Sequence, residues 1–182
     1  MKKKAGVVVM GMGVLLGGRV QAAGMGFEAA SSDTGDVQAY RLVADWDLQK
    51  HWFPRGNWYL NAYLEADVSF WNGKSGDQDN DSLGEVGFTP ILLRWQKDPK
   101  AGGFAPFIEW GEGVHVLSDP GIADQDLGVL LQFGSHAGLG ARFGQDGRYE
   151  LAYRFQHLSN AGIGDDNDGI NFHFLRFVYW MP

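Results

Sequence analysis

Cysteine is absent from all 182 residues. The chain therefore has no disulfide framework, no thiolate nucleophile and no cysteine ligand for a metal. Positive charge is also scarce: 15 Lys and Arg stand against 22 Asp and Glu, for a formal net charge of −7. A surface that neutralises a phosphate backbone needs clustered cations, so this balance argues against nucleic-acid binding. No apolar run reaches the roughly 20 residues that a membrane-spanning helix needs. The nearest approach, from Ala5 to Gly18, follows Lys2, Lys3 and Lys4 and precedes Val20-Gln21-Ala22. A basic head, a short apolar stretch and small residues read as an export signal, with cleavage expected after Ala22. Residues 1–22 are thus read as a signal peptide and residues 23–182 as one domain.

What the chain has in quantity is glycine, 27 residues, and aromatic side chains, 14% of the total. Both suit strands joined by tight turns better than they suit a helical bundle. Apolar residues recur at every second position. Tyr40, Leu42, Ala44, Trp46 and Leu48 alternate with Arg41, Asp45 and Asp47. Trp58, Leu60, Ala62, Leu64, Ala66, Val68 and Phe70 alternate with Asn57, Asn61, Glu65, Asp67 and Ser69. A side-chain period of two is the mark of a strand. Further strands are expected from Leu83 to Gln96, Phe104 to Leu117, Leu127 to Phe143, Arg148 to Asn160 and Gly169 to Met181, after a weak first one from Gly24 to Ser31. Pro90 is a misfit, because proline cannot donate to a ladder. Gln145-Asp146-Gly147 supplies a hairpin turn.

Alternating segments of about ten residues behind an export signal predict an all-β chain, an eight-stranded antiparallel transmembrane β-barrel of the outer-membrane type. Glu65, Asp67, Glu109, Arg142, Glu150 and Arg154 would then form a polar network inside it. Alternation alone leaves a rival open: a soluble lipid-binding barrel would turn the apolar rows inward. Trp46, Trp58, Trp71, Trp95 and Trp110 are read as membrane anchors. His51, His115 and His136 are scattered, and no spacing suggests a metal site. Asp77 to Asp81 reads as a solvated acidic turn, since it lacks the glycine and distal glutamate of a calcium loop.

One row ends differently. Leu151, Tyr153 and Phe155 share a face with His157 and Ser159. If that face meets lipid, a base and a hydroxyl terminate an apolar surface near the outer leaflet. Polar groups placed there incur a desolvation cost without an evident structural return. A serine hydroxyl becomes a useful nucleophile when an imidazole takes its proton and a third group orients the imidazole. Asn171 and His173, on the apolar parity of the last strand, should lie beside them. Asn160, Asn167 and the backbone at Gly162 are near enough in sequence to shape a site or receive an oxyanion.

His157-Leu158-Ser159-Asn160-Ala161-Gly162-Ile163, followed by Asn167-Asp168-Gly169-Ile170, resembles the outer-membrane lipid A 3-O-deacylases of the PagL family. The resemblance implies a serine esterase of the bacterial outer membrane that hydrolyses the acyl ester at the 3-position of lipid A. It needs neither metal nor cofactor. Its partners are then lipopolysaccharide and outer-membrane lipids, and a homodimer is one possible assembly. The resemblance makes Ser159 the nucleophile, His157 the base, and Asn160 and Asn167 site-shaping amides. The family has a glutamate where this chain has Asn171, so the orienting carboxylate is replaced by a carboxamide. Asp165, Asp166 and Asp168 are candidate substitutes, Asp168 foremost, and Asn171→Glu is an expected gain in rate. The alternative is a catalytically impaired homologue, or a non-enzymatic barrel of the adhesion or stress-response kind.

Overall fold

The computed structural model describes residues 23–74, 76–78 and 80–182, and the expected signal peptide lies outside them. Eight long strands close into an antiparallel barrel. They are β1 (Ala23–Ser32), β2 (Val37–Asp47), β3 (Trp58–Gly73), β4 (Ser82–Lys97), β5 (Ala105–Leu117), β6 (Leu131–Phe143), β7 (Tyr149–Ser159) and β8 (Ile170–Trp180). Each pairs with its neighbour in sequence, and β8 returns to pair with β1, Phe27 opposite Phe177. Closure removes the sheet edge, so every strand can satisfy its backbone within a bilayer. A short strand, Trp52–Arg55, folds back on the start of β3.

The sidedness question is settled by adjacent residues: Leu42 is 61% exposed and Arg41 only 1%. Met25, Phe27, Val68, Val86, Ile108, Leu139, Leu151, Leu175 and Phe177 also point outward. The apolar rows therefore face outward, as lipid requires, and the soluble-barrel alternative fails.

The interior is filled in three layers. Four arginines, Arg41, Arg94, Arg154 and Arg176, form its middle with the acids around them. Arg154 holds Glu65 through two bonds, at 2.8 and 3.0 Å, and Glu109 at 3.0 Å. Arg94 bonds Glu150 at 2.8 and 3.1 Å, and its guanidinium lies over the rings of Tyr63 and Phe107. Charges so far from water persist only when paired, so removing one partner from these cross-barrel bonds would leave a buried charge uncompensated. Large side chains need room on the opposite wall, and inward glycines supply it. A Cβ at Gly111 would lie 2.4 Å from the His136 ring, and one at Gly134 equally close to His115. Apolar layers close both ends. Val37, Trp71, Leu83, Leu117, Leu127, Leu158, Ile170 and Phe172 pack beneath the long loops. Val43, Tyr63, Leu92, Val178 and Trp180 pack at the other end.

Two sequence expectations need correction, and the misfit at Pro90 finds its explanation. Strand β6 runs unbroken through Gly134-Ser135, but it begins at Leu131; Leu127 is buried in the loop-end core, not facing lipid. Pro90 sits at a β-bulge, where the register shifts between Phe88 and Ile91. The bulge hides the missing donor and reverses the parity, so Leu92 points inward while Ile91 faces out. Trp71 is no membrane anchor. It is fully buried, donates its indole N–H to Ser69 at 2.8 Å and packs edge-on against Phe172.

The described residues of the connections 74–81, 118–130 and 160–169 lie at the end opposite Ala23 and Trp180. In barrels of this type the longer loops are extracellular. The C-terminal end of β7 and the start of β8 thus lie at outer-leaflet level.

Candidate active site

Strand pairing builds the site. His157 stands opposite Asn171 of β8 on one side and opposite Ser135 of β6 on the other. Ser135 in turn faces Glu112 of β5. All four side chains are on the outward parity, so a polar row crosses an otherwise apolar wall at one level. His157 Nδ1 and Asn171 Oδ1 are 2.7 Å apart. The carboxamide oxygen can only accept, so Nδ1 carries a proton, and in the neutral ring Nε2 is the acceptor. Ser135 donates to Glu112 at 2.7 Å. One step deeper, the Tyr153 hydroxyl and His173 Nδ1 are 2.6 Å apart.

Strand β7 stops after Ser159 because the chain turns sharply at Asn160. Ala161 and Gly162 both have positive φ, 55° and 78°, and the Ile163 N–H donates to Asn160 O at 3.2 Å. Two left-handed central residues define a type I′ turn, and Gly162 takes that conformation without strain. Asn160 holds the turn from the inward side, fully buried. Its Nδ2 donates to Leu127 O at 2.9 Å and Asp166 O at 2.7 Å, and its Oδ1 accepts from Gly162 N–H at 2.8 Å. Asn160 and Gly162 therefore shape the loop, and the Gly162 amide already has an acceptor. Asn167 Oδ1 accepts from Asn160 N–H at 2.9 Å, which fixes its carboxamide beside the end of β7.

Of the candidate loop acids, Asp168 is engaged elsewhere. Asp168 accepts from Asp126 N–H at 2.8 Å and so ties its loop to the 118–130 connection. The carboxylate that reaches position 171 belongs to Asp33, in the β1–β2 turn: Asn171 Nδ2 donates to its Oδ2 at 2.9 Å. Nothing in Ser32-Asp33-Thr34-Gly35-Asp36 distinguishes it from an ordinary turn. Glu112 and Ser135 were more legible, since each is the lone polar interruption in its apolar row.

Gly169 (φ 67°) abuts the imidazole: a Cβ there would meet His157 Cε1 at 3.1 Å. Gly169→Ala is expected to displace the ring and strain the backbone, an effect of about 1–2 kcal/mol. Hydrolytic activity should fall about tenfold or more while the folded barrel is recovered at parental yield. Normal activity in this variant would mean that the ring has room to move.

Away from this row, Asp67, Glu85 and His115 bring ligand atoms within 4.8 Å of one another inside the barrel, a grouping found among the described residues. Arg41 forms ion pairs with both acids there and supplies the positive charge that a cation would bring. A groove of about 450 Å³ lined by Arg55, Trp58, Trp95 and Ile108 opens at the opposite end of the barrel, remote from His157.

Fold and site together define a class: a small outer-membrane-type barrel with an imidazole and a hydroxyl on its lipid-facing wall. The family model for lipid A 3-O-deacylase (PagL) matches residues 38–180. The lipid A deacylase PagL of Pseudomonas aeruginosa is 31% identical over 159 residues, covering 81% of this chain and 87% of that protein. That of Bordetella bronchiseptica is 32% identical over 125 residues, covering 68% and 65%. The crystal structure of the outer membrane enzyme PagL superposes with a TM-score of 0.74 at 26% identity, covering 87% of this chain and 99% of that one. This chain belongs to the lipid A 3-O-deacylase (PagL) family.

Proposed function

We propose that the protein hydrolyses the ester linking an acyl chain to the 3-position of lipid A, acting as a serine esterase in the outer leaflet. One observation carries this reading. On the lipid-facing wall, two residues before Ser159 on the same face of β7, the His157 ring is held through Nδ1 by Asn171 at 2.7 Å, which in the neutral imidazole leaves Nε2 as the base. A membrane-facing position suits a substrate that never leaves the bilayer. The acyl chain can lie along Phe155, Tyr153 and Leu175, which continue the same wall beneath the site.

Ser159 Oγ attacks the ester carbonyl and His157 Nε2 takes its proton. The oxyanion develops within reach of donors at the loop, for which Asn167 offers Nδ2, its Oδ1 being engaged by Asn160. The imidazolium then protonates the departing sugar oxygen, leaving an acyl ester on Ser159. Water, deprotonated by the same imidazole, releases the fatty acid and restores the serine. Residues 1–22 would serve as the export signal that delivers the chain to this membrane.

The test is the mass spectrum of lipid A from bacteria with and without the expressed protein. Loss of one acyl chain from the 3-position is expected on expression. An unchanged lipid A, with the barrel folded in the outer membrane, would favour a silent barrel instead.

A further inference from the structure

A carboxamide presents an acceptor and a donor from one planar group. With its oxygen toward His157 Nδ1, as observed, the free base is Nε2. With its NH₂ there, Nδ1 would become the acceptor, the proton would sit on Nε2, and Ser159 would have no base. An asparagine at this position works only if something decides which end faces the imidazole. An amide's orientation follows from the bonds made by its two ends.

Asp33 stands at the other end of that amide. Its Oδ2 accepts from Asn171 Nδ2 at 2.9 Å, and its Oδ1 accepts from Thr34 N–H at 3.0 Å. Its own N–H donates to Asn171 O at 3.1 Å. The carboxylate is thus tied to β8 by backbone and side chain together. A carboxylate only accepts, so it draws the NH₂ of Asn171 to itself and turns the oxygen toward His157. We propose that Asp33 is a positioning residue of the hydrolytic site: it fixes the Asn171 amide in its productive orientation and places a negative charge one hydrogen bond behind the imidazole. The carboxylate that a Ser–His–acid triad keeps in direct contact is here displaced by one residue, giving the sequence Asp33, Asn171, His157, Ser159. As Ser159 loses its proton, the imidazolium is stabilised by that charge through the amide.

This inference rests on the assignment of Ser159 and His157 above, and it changes the expectation for position 171. Asn171→Glu alone would put two carboxylates in contact, which disfavours ionisation of both. Its gain should appear only when Asp33 is also neutralised.

The experiment compares the purified barrel in detergent, acting on lipid A, with Asp33→Ala, Asp33→Asn, Asn171→Glu and the Asp33→Ala/Asn171→Glu double variant. Folding is checked by heat-modifiable gel mobility. Asp33→Ala should lower kcat about 10- to 100-fold with KM little changed, the size expected for a bond to a charged group. Asp33→Asn, which keeps an acceptor and loses the charge, should fall between parent and Asp33→Ala. The double variant should return to within about threefold of the parent or exceed it, and should be faster than Asn171→Glu alone. Parental kcat in Asp33→Ala would overturn the proposal. So would a slow Asp33→Ala that Asn171→Glu does not rescue, because a residue that merely holds the turn cannot be replaced by a carboxylate on β8. A Ser159→Ala control separates the two levels: activity persisting there refutes the site assignment itself, whatever Asp33 does.

Discussion

Ser159→Ala and His157→Ala are each expected to slow deacylation by about 10³-fold or more, and the double variant should be no slower than either single one. The reason lies in the division of labour. On the proposed mechanism the hydroxyl without its base is a poor nucleophile, and the base without its hydroxyl has nothing to activate, so loss of either would disable one unit. The residual rate would come from substrate positioning and from donors such as Asn167. Fatty acid released from purified lipid A measures the effect, normalised to the folded fraction. Effects that multiply in the double variant would mean that the two residues act independently. A single variant retaining the parental rate would remove its residue from the mechanism.

The second large effect concerns the fold. Arg176 bonds Glu28, Glu65, Asp45 and Glu150 inside the barrel, with no side-chain exposure. Arg176→Met preserves length and removes the charge, leaving these acids with fewer cations and no route to water. Breaking a buried ion pair from one side costs about 3–5 kcal/mol. The barrel should unfold at markedly lower temperature or urea concentration in detergent, read from its gel mobility. Lys74 and Asp36 give the contrast. Their bridge at 3.1 Å joins side chains that are 70% and 40% exposed, so Lys74→Ala should change stability by less than about 1 kcal/mol. Equal effects from the two substitutions would mean that water reaches the interior charges.

Much of this was legible in the chain because a strand's side-chain period is local. Two neighbours such as Arg41 and Leu42 already announce opposite faces, and the row from Leu151 to Ser159 places the imidazole and hydroxyl together. The rest depended on information that period does not hold. The bulge at Pro90 exchanges inside for outside midway along β4, so Leu92 could not be placed by counting. Trp71 obeys the polar parity of its strand, yet an indole reads equally well as a lipid anchor until Phe172 is seen against it. The loop aspartates were near His157 in sequence, but only the structure ties Asp168 to Asp126 instead.

Composition and periodicity by themselves determined that this chain would be a barrel with apolar rows ending in His157 and Ser159, since each strand carries its own pattern of faces. Closure of the barrel decided the remainder. Only when β8 returns to β1 does Asp33 meet Asn171, 138 positions away in the chain, and a contact across that seam leaves no local trace in either segment.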